Sequence, residues 1–284
     1  MESSRLLTHP MYARQRFREV AARPDWQIDL VEASLIVALE DEPSLDIEPY
    51  LAEVTDWSAC VRERLCGSRE IDRTVQTINC MLFDELGFHG QDEDYYDPRS
   101  ALLNETLDKH AGLPIALSIL YIEISRRVGL EVAGVAIPGR FLVKLSGPFG
   151  QIVVDPFDGG KVLAAVELQQ LLDDVYGGGV RLREHHLRSF SQKEILAREL
   201  AHLKSAYLFR NDLARAAASI DRLLILDADD AFEVRDRAAV AARLHDYQDA
   251  IDGFERYLAL MPQADDAARV RDQIASLRGW FEQT

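Results

Sequence analysis

Leu113–Val128 reads LPIALSILYIEISRRV and Glu131–Gly160 reads EVAGVAIPGRFLVKLSGPFGQIVVDPFDGG; these two stretches decide the fold. Pro114 stands where a helix begins and an N–H has no partner to lose, and Gly129 follows the helix end. Ile115, Ala116, Leu117, Ile119, Leu120, Ile122 and Ile124 cover most of the circumference, leaving Glu123, Arg126 and Arg127 as a polar stripe. A helix apolar on three sides is buried, so this one belongs at the centre of a domain. Three β-rich runs follow, Glu131–Ile137, Arg140–Leu145 and Gln151–Val154, divided by Pro138-Gly139 and Ser146-Gly147-Pro148. Strands with such short links form an antiparallel meander, packed on one face by the helix. Asp155-Pro156-Phe157-Asp158-Gly159-Gly160 is expected to end the sheet.

Toward the N-terminus the pattern is helical. Ile28, Val31, Leu35 and Leu39 recur at helical steps within Trp26–Ala59, a run broken before Pro43 and resumed after Ser44-Leu45-Asp46. Asp25 to Asp56 holds ten acidic residues and no Lys or Arg. Because they are scattered, solvated helix faces are favoured over a dock for a cationic partner or metal. Arg73–Leu86 reads as a further helix, with Cys80 a buried, inert thiol beside Met81, Leu82 and Phe83. A polar loop, GFHGQDEDYYDPR, then spans Gly87–Arg99.

Toward the C-terminus, from about Glu194, the chain is Ala-rich and helical with an internal period. Tyr207, Ala216, Ile220 and Leu223 are matched 34 residues later by Ala241, Ala250, Phe254 and Tyr257, and Ala228 by Pro262. That period is the tetratricopeptide pattern, although Lys204 and Ala238 stand where a glycine often marks the tight helix contact. Ala267–Phe281 is expected to cap the stack, and two repeats plus a cap lean on the preceding domain for stability. The expected class is α+β, with residues 1–190 a helical lead-in plus a mixed domain (core about 75–165) and 191–284 a repeat module.

Composition narrows the function. The 284 residues are 48% hydrophobic and 28% charged, which suits a packed core and excludes a disordered chain. A net charge of −16 repels phosphate backbones and anionic lipid, so neither nucleic acid nor membrane is an expected partner. Met1–Arg18 lacks the apolar core of a secretory signal, and Leu113–Ile124 is too short and too polar to span a bilayer. Cys60, Cys66 and Cys80 form no disulfide framework; a cytoplasmic location is expected.

The segment DYYDPRSALLNETLDKHAGLPIALSILYIEISRRVGLEVAGVAIPGRFLVKL, with VVDPFDGG and the tail RDRAAVAARLHDYQDAIDGFERYLALMPQADDA, resembles the bacterial SirB-type proteins. These join a transglutaminase-like domain to tetratricopeptide repeats, and the likeness runs from about Val75 to the C-terminus. The resemblance implies a papain/transglutaminase-like core: a buried helix against a small antiparallel sheet. In active members of that superfamily a Cys at the helix start works with a His and an Asp on successive strands. Such a Cys gains thiolate character from the helix N-terminus, the His moves the proton, and the Asp orients the His.

Carried onto this chain, the nucleophile falls at Pro114, flanked by Leu113 and Ile115, and the His falls at Arg140; only Asp155 survives. None of the three residues at the helix start can attack a carbonyl, and a guanidinium keeps its proton near neutral pH. The site is therefore expected to be vestigial, with no catalytic residue, no metal and no cofactor. Candidate binding residues are Tyr95, Tyr96, Asp97, Arg99, Asn104, His110, Arg140 and Asp155. The bland alternatives are a helix cap for Asn104, a turn for Asp97-Pro98, a surface position for His110 and a core hydroxyl for Ser118. Arg140 and Asp155 form a strand-to-strand pair or, with Arg140 free, a small-anion site. His185-His186 diverge too far on a helix to share a metal, and Gly177-Gly178-Gly179 is a link. The expected function is a non-catalytic interaction scaffold or regulator taking a protein or peptide in the repeat groove or the cleft. The alternative is a hydrolase or acyltransferase of the cysteine-protease superfamily using His110, Ser118 and Asp155.

Overall fold

A computed structural model describes residues 10–68, 70–91, 97–137, 139–147 and 150–281. The chain divides into two compact units, residues 1–199 and 200–284, and the boundary falls within a helix, Gln192–Phe209.

The first unit is built around α6 (Pro114–Arg127), which has Pro114 at its first position and eleven buried residues from Ile115 to Ser125. It follows α1 (Pro10–Ala21), α2 (Leu30–Asp41), α3 (Glu48–Leu65), α4 (Ile71–Asn79) and α5 (Leu103–Lys109). A four-stranded antiparallel sheet runs β3 (Glu131–Ile137), β4 (Arg140–Gly147), β5 (Gly150–Asp155) and β6 (Lys161–Leu163), each strand beside the next. The sheet therefore does not end at Gly160. Gly159 and Gly160, both at positive φ, reverse the chain so that Val162 pairs with Val154 and Lys161 with Asp155. Central β4 is buried on both faces: α6 lies against it, while α7 (Ala165–Tyr176) packs Leu168 and Leu172 on Val135, Ile137, Leu142 and Val153. A short parallel pair, β1 (His89–Gly90) with β2 (Ala111–Gly112), precedes α6.

Two further departures from the sequence reading are physical in origin. α4 continues as a π-helical turn, Cys80–Glu85, which the 3.6-residue period does not anticipate. The acidic helices are not simply solvated: Arg23 reaches Glu32 at 2.5 Å, Arg14 pairs with Glu40, and Arg127 Nη2 donates to Asp29 Oδ2 at 2.6 Å. Glu123, 4% exposed, accepts from Arg126 (3.1 Å), Arg127 (3.3 Å) and the Leu30 N–H (3.2 Å). Arg126 also donates to the carbonyls of Trp26 (2.7 Å) and Ile28 (2.8 Å). The polar stripe of the buried helix is thus its attachment to the start of α2.

The second unit holds α9 (Leu213–Leu226), α10 (Ala231–Arg243), α11 (Tyr247–Leu260) and α12 (Ala267–Phe281), and α8 (Gln192–Phe209) runs into it. The residues that set the 34-residue period, from Tyr207 to Tyr257, are buried. Gly253 supplies the tight contact sought at Ala238: a Cβ there would lie 2.9 Å from the Ala238 Cβ. Lys204, at the equivalent position one repeat earlier, bonds Glu233 (2.6 Å) and Asp236 (3.1 Å).

Candidate functional site

The site forms where the start of α6, the start of β4 and the end of β5 meet a tight turn, Pro156–Asp158. Ser118 fixes the helix to the strand: its hydroxyl, fully buried, donates to the Phe141 carbonyl at 2.8 Å. No side chain caps the start of α6.

Asp155 closes β5 and is 3% exposed. Its Oδ1 accepts the Phe157 N–H at 3.0 Å, so the carboxylate caps the turn that follows it. Burial lifts the Asp155 carboxyl above the ordinary carboxylate range, against the pull of Arg140 and of the Phe157 and Asp158 amides. Arg140 opens β4, and its Nε lies 4.0 Å from Asp155 Oδ2, beyond hydrogen-bond reach. The guanidinium is supported on the Phe157 ring, 4.8 Å from the centroid. Phe157 is held in turn by β1, because a Cβ on Gly90 would come within 2.5 Å of the Phe157 carbonyl oxygen.

A second layer fixes the turn from below. Asn79 Nδ2 donates to the Gly160 carbonyl (2.7 Å), and its Oδ1 accepts from the buried Tyr121 hydroxyl (3.0 Å). Phe83 stacks on Tyr121 with centroids 6.3 Å apart. This layer was not among the expected site residues; a lone Asn on a helix carries no sequence signal.

The structure sorts the remaining candidates. Tyr95 and Tyr96 lie outside the described residues. Asp97 caps a 3₁₀ turn, Pro98–Ala101, by accepting the Arg99 N–H (3.0 Å), and its Oδ2 takes Arg99 Nη2 at 2.9 Å. Asn104 is not a cap: α5 begins at Leu103, and Asn104 is 3% exposed with its Oδ1 unpartnered among the described residues. His110 ends α5 at φ +51°, points Nδ1 at the Leu86 carbonyl (2.5 Å) and stacks on Phe88 (4.6 Å). Neither His110 nor Ser118 hydrogen-bonds Asp155. Cys80 corrects the expectation of a buried thiol: it is exposed, and its Sγ lies 3.4 Å from Glu85 Oε1, the acceptor of Arg64 at 2.6 Å. The hydrogen bond to Glu85 raises the Cys80 thiol, which keeps it protonated and a poor nucleophile. Among the described residues, no three His, Cys, Asp or Glu side chains gather as a metal-holding group.

The profile of the transglutaminase-like superfamily matches residues 48–201, more than half the chain, and a tetratricopeptide-repeat profile matches residues 203–275. The chain belongs to the SirB-type transglutaminase-like family. A UPF0162 protein from Xylella fastidiosa (strain 9a5c) is 32% identical over 264 residues, 92% of this chain and 94% of that protein. The UPF0162 protein of Vibrio cholerae is 27% identical over 251 residues, covering 88% and 93%. In this SirB-type chain no described helix is long and apolar enough to cross a membrane.

Proposed function

We propose that this SirB-type chain is a non-catalytic interaction protein: a transglutaminase-like domain without its triad, joined to repeats that receive a protein or peptide partner. The observation that carries the reading is the state of the three triad positions. Proline occupies the helix start, a guanidinium rather than an imidazole occupies the base position, and Asp155 is engaged as a turn cap. The residues offered for the enzyme reading support it no further, since the Ser118 hydroxyl and His110 Nδ1 are both directed at backbone carbonyls. Tetratricopeptide repeats generally mediate protein–protein interaction, and their presence over residues 203–275 favours the scaffold reading. We take the working parts to be residues 1–190 and 191–284, acting in the cytoplasm without metal or cofactor.

The test is enzymatic. The purified protein should show no amide hydrolysis, ester hydrolysis or amine transfer above background on a peptide library, with or without Cys60, Cys66 and Cys80 replaced by Ser. Amidase activity lost in Asp155→Asn would falsify the reading and restore the hydrolase.

A further inference from the structure

We propose that Arg140, seated on Phe157 beside Asp155, is a recognition site for a carboxylate presented by a partner chain: an Asp or Glu side chain, or a C-terminus. The proposal rests on the interaction reading above and names the chemistry its cleft receives.

A guanidinium carries five N–H donors in a planar fork, and among the described residues none of those of Arg140 finds an acceptor. Its side chain is one-third exposed, so the group is largely withdrawn from water and still reachable. Asp155 is the obvious partner, and its own turn prevents it from closing the gap. Its Oδ1 is committed to the Phe157 N–H at 3.0 Å, and moving toward Arg140 would uncap that turn. Phe157 holds the cation from one side, and Gly90 leaves Phe157 no room to withdraw. The result is a fixed fork with unfilled donors, to which a carboxylate offers two parallel acceptors at matching spacing.

The surroundings select among anions. Asp155 faces the fork and Asp158 adds to the negative charge around Asp155, so a dianionic phosphate meets more repulsion than a monoanionic carboxylate. Lys161 on β6 is taken by Glu167 at 2.8 Å and does not add to the receptor. From the elements packed on the turn, β1 brings His89, whose Nδ1 faces the Gly87 carbonyl (3.2 Å), and α6 brings Tyr121, bonded to Asn79. Asp155 is thus the group whose charge opposes the ligand, and a proton on Asp155 favours binding. Ligand uptake and proton uptake are linked.

The experiment uses the full chain with the monocarboxylate N-acetylalanine, methanesulfonate and inorganic phosphate, read by NMR at the Arg140 Nε–H and the Gly90 and Phe157 amides. N-acetylalanine should shift all three saturably. Arg140→Gln should weaken binding about tenfold or more at the two amides, the loss of a charge-assisted pair, and Arg140→Lys should restore only part. Methanesulfonate, whose charge does not titrate, should bind tighter at about pH 5 than at about pH 7 in wild type, and the difference should vanish in Asp155→Asn. Equal binding by wild type and Arg140→Gln, or tighter binding of phosphate than of N-acetylalanine, overturns the proposal. Should Asp155→Asn fail to fold, the wild-type pH series decides, since a flat response sinks the linkage. Silence toward carboxylates in an amidase-inactive protein removes this site alone. Amidase activity removes the interaction reading beneath it.

Discussion

The Tyr121 hydroxyl donates to Asn79 Oδ1 at 3.0 Å, while the same amide donates to the Gly160 carbonyl at 2.7 Å. One side chain on α4 thereby ties the buried helix α6 to the turn that carries Asp155. Asn79→Ala strands a fully buried hydroxyl and a backbone carbonyl and should cost about 2–3 kcal/mol, whereas Tyr121→Phe, which removes only the donor, should cost about 1 kcal/mol. Urea denaturation of both variants checks the ratio, and equal costs would show that Asn79 does not bridge.

Gly90→Ala tests the perch beneath Arg140. The new methyl must displace the Phe157 carbonyl or ring, at about 1–3 kcal/mol. The Arg140 side-chain NMR signals should shift as its support moves. A variant as stable as wild type with unchanged Arg140 signals refutes the packing described.

The pH dependence follows from Asp155. Its folded carboxyl is raised above the unfolded value, chiefly by burial. Stability from this group is therefore full below the unfolded value of about 3.9 and is lost as pH rises through the raised folded value. Asp155→Asn, which keeps an oxygen for the Phe157 N–H, should gain on wild type as pH rises from about 4 to about 7. Paired melting curves across that range measure it; a gap that moves the other way contradicts the sign.

Pro114→Cys with Arg140→His, in a background with Cys60, Cys66 and Cys80 replaced by Ser, tests the proposed register of the triad positions. The new thiol should alkylate with a midpoint below the ordinary value of about 8.5. Pro114→Cys with Arg140→Ala should lie closer to that value. Identical profiles would mean that residue 140 does not face residue 114.

In the second unit, Lys204→Ala leaves Glu233 and Asp236 without their shared cation, and Glu233 already has one buried oxygen unpartnered. The expected cost is about 1–3 kcal/mol, with Lys204→Met gentler because the stem still packs. Thermal melting of the full chain decides, and an unchanged melting temperature would show the triad to be ornamental.

Much of this architecture could be read from residues, and the failures have causes. Pro114 and the apolar circumference announce the central helix, and short turn signals separate β3, β4 and β5. β6 escaped because it is three residues long, with Lys161 and Val162 exposed, so it carries no alternation. Cys80 departs from the expected buried thiol: its sequence neighbours Met81 and Leu82 are buried, whereas Cys80 is exposed where the π turn begins. Asn104 resembles a cap because a helix does begin nearby, two residues earlier than a cap at Asn104 requires. The tight repeat contact was sought on one helix and is supplied by Gly253 on the other. At the site, Pro114, Arg140 and Asp155 were located only through family resemblance. Phe157, Gly90 and Asn79 act through three-dimensional proximity, which no spacing encodes.

The attachment of α6 to the start of α2 spans 98 residues between Arg127 and Asp29. A ribosome adding about 5–20 residues per second needs several seconds to a score of seconds to make that stretch. During that interval α2 has emerged with the apolar face of Leu35, Ile36 and Leu39, and the arginines that anchor its first turn do not yet exist. The N-terminal helices of a nascent chain therefore wait for their anchor with that apolar face uncovered by α6. A ribosome stalled before Arg126 should expose them to protease, and one stalled well past Arg127 should not.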